Sequence, residues 1–185
     1  MFSLVTPPAT EPIPLADLKA ALRIDNTDED AVINLMAITA RTFIERRLDR
    51  AFLLQSWALT LDHVPLGPIS LRPGIVNSIT NVTATYGEGS PQSIGSEDWC
   101  LSRREPAQFS LDIPSQVGGE TLSELVVTFT AGETSASDIP ADLIRALYLL
   151  TAHYYEQREA FQEQRYVAVP LTVEALLNSY REIRL

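Results

Sequence analysis

Residues 30–50, DAVINLMAITARTFIERRLDR, and residues 55–64, QSWALTLDHV, follow each other closely, but their apolar side chains repeat with different periods. In the first stretch apolar positions recur every three or four residues, which predicts a helix. They form two neighbouring stripes: Val32, Leu35, Met36, Thr39, Phe43 and Leu48, and beside them Ile33, Ala37, Ala40 and Ile44. A helix that is apolar over so much of its surface is expected to pack on two sides. In the second stretch Trp57, Leu59 and Leu61 occupy alternate positions, which predicts a strand.

Further helices are predicted on both sides of this change of period. Residues 15–24 form a short amphipathic helix, residues 137–160 form a long one, and residues 173–183 form a last one that Pro170 and Thr172 open.

The helix starts carry cap residues in the sequence. Thr27 or Asp28 is expected to cap the helix that follows, and Ser137 or Asp138 the helix over 137–160. Pro140 lies near the first helical position, where a missing N–H costs nothing.

The middle of the chain reads as about five short strands separated by loops that contain Gly and Pro. The strands are predicted over 55–64, 75–86, 99–104, 107–113 and 124–132. The predicted fold class is therefore α+β: a bundle of about four helices with a small antiparallel β-rich insert between the N-terminal and C-terminal helices.

The length of 185 residues favours one domain. We predict this domain over residues 15–185, preceded by an extended proline-rich segment over 1–14. Its parts are helices over 15–50, a β-rich lobe over 51–135 and helices over 138–185.

The formal net charge of −10 lies mostly in the middle of the chain, since residues 51–140 carry 10 acids and 3 bases. Non-specific nucleic-acid affinity comes from Lys and Arg that neutralise phosphates, and Lys19 is the only lysine. The composition therefore disfavours a protein that grips DNA or RNA, but it permits one that lets DNA slide past.

Cysteine usage and hydropathy further restrict the class of protein to which the chain can belong. Cys100 is the only cysteine, so an internal disulfide and a cysteine-rich zinc site are excluded, which fits a reducing cytoplasm. No apolar run approaches the roughly 20 residues of a membrane span, and the N-terminus does not read as a signal peptide.

His153 and Glu156 are three residues apart on a predicted helix, so both could face one metal ion. A metal site in a helical bundle needs several such carboxylates and usually a second histidine. The only other histidine, His63, lies at the end of a predicted strand. We interpret both histidines as structural.

Other catalytic and ligand-binding motifs are missing from the sequence. Cys100 has no histidine near it, no serine lies in a Gly-x-Ser-x-Gly elbow, and no phosphate loop ends in Gly-Lys. Residues 28–30, Asp-Glu-Asp, lack the alternating ligands of a calcium loop and are better read as a helix cap. No catalytic, cofactor-binding or metal-binding residue is predicted, and an enzyme is disfavoured. The residues by themselves lead to an α+β assembly or binding module.

Several stretches together resemble the phage head–tail connector family, the head-completion adaptors that include those of phage-like gene transfer agents. The matching stretches are LADLKAALRID (15–25), AITARTFIERRLDRAFLLQSWALTLD (37–62), IVNSITNVTATY (75–86), VTFTAG (127–132), IPADLIRALYLLTAHYYEQREA (139–160) and VPLTVEALLNSYREIRL (169–185). The resemblance covers nearly the whole chain in order.

The resemblance implies a structural protein without cofactors, located in a virion or phage-like particle at the head–tail junction and assembled in the bacterial cytoplasm. It implies a homo-oligomeric ring of about twelve subunits under a portal protein, with a tail-side stopper or tail-terminator protein below. DNA would pass through the middle without specific binding. The alternative is a small cytoplasmic binding or regulatory module with a pocket in the β lobe.

Two sets of contact residues follow as expectations. The apolar face of the C-terminal segment ends in an apolar and basic tip, which is expected to be covered. The resemblance implies that the portal covers it, and the alternative is that Ile183 and Leu185 fold back on their own bundle. The candidate portal residues are Leu176, Tyr180, Arg181, Ile183, Arg184 and Leu185. The candidate residues for packing between subunits are Phe43, Arg46, Arg47, Arg50, Tyr154 and Tyr155.

Overall fold

The computed structural model describes residues 1–102, 107–157 and 170–180. These residues form two compact units. One unit contains residues 1–9 and 53–134 and is built from strands, and the other contains residues 10–52 and 135–185 and is built from helices. The predicted α+β class, with a β-rich insert between helices, is confirmed.

The helical unit contains α1 (Leu15–Leu22), α2 (Asp30–Leu48), α3 (Ala141–Glu156) and α4 (Leu171–Asn178). A short 3-10 turn, Ala136–Asp138, precedes α3. The predicted helical residues 158–160 and 181–183 lie outside the described residues, as does the predicted connection over 161–169.

The second predicted stripe of α2 forms the core of this unit. The buried residues of α2 include Ile33, Ala37, Ala40, Ile44 and Leu48. Helix α2 packs against α3, and α3 packs against α4. The buried residues of α3 and α4 are Leu143, Ala146, Leu147, Leu150 and Thr151, with Val173 and Leu177.

The predicted helix caps are wrong. Glu29 is the N-cap residue of α2 and makes no side-chain cap hydrogen bond, so neither Thr27 nor Asp28 caps this helix. Pro140 is the N-cap of α3, because a residue before proline is driven out of helical geometry and Ile139 is extended. The stretch that contains Ser137 and Asp138 therefore forms a separate turn, whose start is capped by the hydroxyl of Ser135, the acceptor for the Ser137 N–H.

The strand-rich unit contains nine strands among the described residues. They are β1 (Phe2–Thr6), β2 (Gln55–Leu61), β3 (Ile69–Ser70), β4 (Val76–Tyr86), β5 (Gln92–Ser93), β6 (Trp99–Ser102), β7 (Gln108–Leu111), β8 (Gln116–Val117) and β9 (Glu120–Ala131). The five predicted strands correspond to β2, β4, β6, β7 and β9. Three of the others are two residues long, which is too short to show a period of two.

A six-stranded antiparallel sheet runs in the order β1-β2-β9-β4-β5, with β8 paired to β9, and a three-stranded sheet runs β3-β7-β6. The N-terminal segment, predicted to be extended, contains strand β1, which pairs with β2 of the same chain, with Phe2 opposite Leu59 and Ser3 opposite Ala58.

One face of the larger sheet supplies the core of this unit. Its buried side chains include Leu59, Val82, Ala84, Leu125, Val127 and Phe129. The opposite face carries hydroxyls that bond across the strands, including a 2.9 Å contact between the Ser78 and Thr130 hydroxyls. Strand β9 ends at Ala131. Gly132 follows it with a positive φ that suits glycine, and a Cβ there would collide with the carbonyl oxygen of Leu53.

Candidate functional site

The face of α2 beside its buried stripe exposes apolar side chains. Val32 is 40 % exposed and Leu35 is 64 % exposed, and Met36 and Phe43 are only half-buried. This is the first stripe predicted from the sequence, apart from Leu48, which is buried in the core. Adjacent exposed apolar residues on one helix face are typical of a surface that another protein covers.

A groove of about 540 Å³ follows this face towards the C-terminal end of α2. Its lining residues are Ile38, Thr39, Thr42, Phe43, Arg46, Arg47 and Tyr154. Helix α2 supplies all of them except Tyr154, which comes from α3. Burial raises the pKa of the Tyr154 phenol. Four of the six residues predicted to pack between subunits, Phe43, Arg46, Arg47 and Tyr154, therefore line one groove. Whether they contact a neighbouring subunit stays a prediction.

The structure gives two of the predicted packing residues roles inside the protomer. Arg47 Nη2 lies 3.0 Å from Glu174 Oε2 and so ties α2 to α4. The Tyr155 hydroxyl donates to the carboxylate of Glu29 at the start of α2. Of the two remaining residues, Arg46 is exposed and Arg50 is half-buried. Arg46 is therefore the cation on the groove that is best placed to meet a partner.

A buried ion-pair cluster on the inner side of α2 was not predicted. Arg41 is only 5 % exposed, and its guanidinium binds Glu11 at 2.8 and 3.1 Å and Glu45 at 2.7 Å. Burial by itself lowers the pKa of Arg41, but the two carboxylates outweigh it and raise the pKa above its usual value. Glu45 Oε1 also accepts the Phe52 N–H at 2.8 Å. The cluster fastens the segment before α1 to α2, and the four-residue spacing of Arg41 and Glu45 was its signal in the sequence.

The candidate portal residues fall partly on α4. Leu176 and Tyr180 are half-buried, whereas Val173 and Leu177 are fully buried in the helical unit. Arg181, Ile183, Arg184 and Leu185 lie outside the described residues. Portal binding by this segment stays a prediction.

The two histidines lie in different units. His153 is half-buried on α3, its Nε2 has no hydrogen-bond partner among the described residues, and its ring centroid is 6.1 Å from that of Tyr154. His63 is exposed and bonds Asp62, and that hydrogen bond lowers the pKa of the Asp62 carboxyl. Across residues 1–102, 107–157 and 170–180, no three His, Cys, Asp or Glu side chains come together in a way that could hold a metal ion.

Within the same described parts of the chain, no helix is both long enough and apolar enough to cross a membrane.

The exposed apolar helix face and the groove with two arginines are features of a protein that binds another protein. Residues 12–105 match the sequence model of the family described as phage gp6-like head-tail connector protein, which is about half of the chain. The chain belongs to this family, and the resemblance seen in the sequence is confirmed.

The chain is also similar to solved structures of gene transfer agent (GTA) particles. A chain in the neck of an empty GTA particle, computed with C6 symmetry, is 26 % identical with a TM-score of 0.81, over 100 % of this chain and 97 % of that one. A chain in the neck of a native GTA particle, computed with C12 symmetry, is 24 % identical with a TM-score of 0.78 over the same shares. At this lower identity the likeness shows the fold. No curated protein matches the chain.

Proposed function

We propose that about twelve copies of this chain form a ring at the head–tail junction, between a portal and a tail-side stopper or terminator protein, with DNA passing through the ring. The observation that carries the proposal is the likeness over the full chain to a subunit of a GTA neck, together with membership of the connector family. The C6 and C12 symmetries of the similar necks are consistent with a closed ring of twelve, since sixfold symmetry also holds in a twelvefold ring.

The outer face of α2 supports lateral packing between subunits. Val32 and Leu35 leave apolar area in water that a neighbouring protomer would cover. Phe43, Arg46, Arg47, Arg50, Tyr154 and Tyr155 are the side chains we assign to this packing, with Arg47 and Tyr155 also bracing the protomer.

Attachment to the portal is assigned to the C-terminal segment from Leu171 onward. Helix α4 presents Leu176 beside its buried stripe, and Tyr180 follows the helix. The sequence then adds Arg181, Ile183, Arg184 and Leu185, a combination of cations and apolar side chains suited to a protein contact.

The charge of the chain supports the passage of DNA. A ring with a formal charge of −10 on each subunit repels the phosphate backbone, so DNA is not held by counterion release as it moves.

Light scattering on the purified protein, alone and with a portal, tests this function. We expect the portal to capture a defined complex whose added mass corresponds to about twelve protomers. The proposal would be contradicted if the protein stays monomeric and does not bind the portal even at high protein concentration.

A further inference from the structure

The loop between β2 and β3, residues 62–68, carries a fully exposed leucine at its tip. Leu66 is 108 % exposed, and Pro65 and Pro68 flank it closely. Proline fixes φ at positions 65 and 68, whereas Gly67, which follows Leu66 directly, leaves the backbone at the tip adaptable. Asp62 stands at the start of the loop with its side chain 89 % exposed. The loop therefore presents an exposed apolar tip and, at its start, an exposed carboxylate that also bonds His63.

The groove on the helical unit has the complementary properties. Phe43, Ile38 and Tyr154 supply apolar wall, and Arg46 and Arg47 supply positive charge along the same lining. Its volume of about 540 Å³ exceeds what one leucine side chain fills. The apolar tip and the acid of the loop therefore match the apolar wall and the cations of the groove in polarity and in charge.

We propose that the loop over residues 62–68 of one protomer inserts into this groove on the next protomer of the ring, with Leu66 in the groove and Asp62 facing Arg46. The inference rests on the proposed ring. Subunits related by a rotation that closes a ring meet through two different surfaces of the same chain. The exposed tip and the groove are two such surfaces, and the opposite charges of Asp62 and Arg46 favour their contact.

The first test removes the apolar tip. Leu66→Ser is expected to raise the protein concentration needed for ring assembly by about tenfold or more, because one buried leucine contributes that much to association. Val117→Ser is the matched control, since Val117 is also exposed, at 42 %, in the short strand β8 of the same unit. Light scattering with a portal measures assembly of both variants. Equal assembly of Leu66→Ser and wild type would overturn the proposed contact while leaving the ring itself in place.

The second test exchanges the charges. Asp62→Arg and Arg46→Asp are each expected to weaken assembly, and the double variant is expected to recover most of the loss. Arg46 is chosen because Arg47 also binds Glu174. A double variant as weak as the sum of its single changes would contradict the pairing of Asp62 with Arg46.

The third test identifies the partner. Leu66→Cys and Thr39→Cys are made on separate chains that also carry Cys100→Ser, and the two proteins are mixed and oxidised under assembly conditions. A disulfide that joins the two different chains supports the contact. Chains that cross-link only to their own kind would overturn it. The contact would also be overturned if Leu66→Ser rings form normally but fail to join tails, because Leu66 would then bind a different protein and not the next protomer.

Discussion

At the scale of single residues, the helical unit depends on a fully buried leucine stripe. Leu147 is 1 % exposed on α3, the helix that packs against both α2 and α4. Truncating such a side chain removes its transfer free energy and leaves a cavity that neighbours fill only in part.

Leu147→Ala should lower the free energy of unfolding of the protomer by about 2–5 kcal/mol. Leu35→Ala is the control, because Leu35 is 64 % exposed on the outer face of α2 and its loss should cost the isolated protomer far less. Denaturant unfolding below the assembly concentration measures both. A loss under about 0.5 kcal/mol for Leu147→Ala would mean that the core of this unit is assigned wrongly.

The ion pairs of Arg41 and of Arg47 should contribute differently to the free energy of unfolding. Arg41→Ala leaves Glu11 and Glu45 as largely buried carboxylates without their cation, and we expect a loss of about 3–5 kcal/mol in unfolding free energy. Arg47→Ala breaks a more exposed pair with Glu174 and should cost less than about 1 kcal/mol. Urea denaturation compares the two variants, and similar losses would show that the Arg41 cluster does not hold the unit together.

At the scale of elements, the C-terminal segment carries the proposed portal contact. Deleting residues 181–185 should leave a folded, soluble protomer that no longer joins portal-bearing heads, because α4 keeps its buried Val173 and Leu177. Thermal unfolding checks the fold, and electron microscopy of assembled particles checks attachment. Truncated protein that still yields tailed particles would place the attachment elsewhere, and truncated protein that does not fold would place these residues in the core.

The sequence predicted the elements better than their ends. The helix over Asp30–Leu48 and the strands over Val76–Tyr86 and Gln55–Leu61 show clear periods, so they were found nearly in place. The predicted caps were wrong because Pro140 sets the start of α3 and Glu29 sets the start of α2. The period of the apolar residues carries no information on which polar residue becomes the N-cap.

The packing of α2 explains which part of the candidate site was predictable. Its two apolar stripes were visible in the sequence, but burial decides which one forms the core, and that depends on where α3 packs. The sequence could indicate the individual groove residues but not that they line one groove. Tyr154 is more than a hundred positions from Phe43, and only the fold brings them together. Arg41 was missed because an arginine on an apolar helix reads as exposed unless its distant partner, Glu11, is known.

At the scale of the whole molecule, the acidic balance bears on how the protein treats DNA. With a net charge of −10 and a single lysine, we expect duplex DNA to bind with a dissociation constant weaker than about 1 µM at physiological salt. Titration at several salt concentrations measures both the affinity and its salt dependence. Sub-micromolar binding that falls steeply with salt would indicate a protein that grips DNA rather than one that lets it pass.

The central claim is that this chain is a connector subunit at the head–tail junction, and imaging of particles tests it most directly. Electron microscopy of assembled particles with a bulky tag fused at the N-terminus of this chain would locate the subunit. The account predicts tag density arranged as a ring in the neck, between the portal and the tail. Tag density spread over the head shell or along the tail, or particles with complete necks that lack the chain, would contradict it.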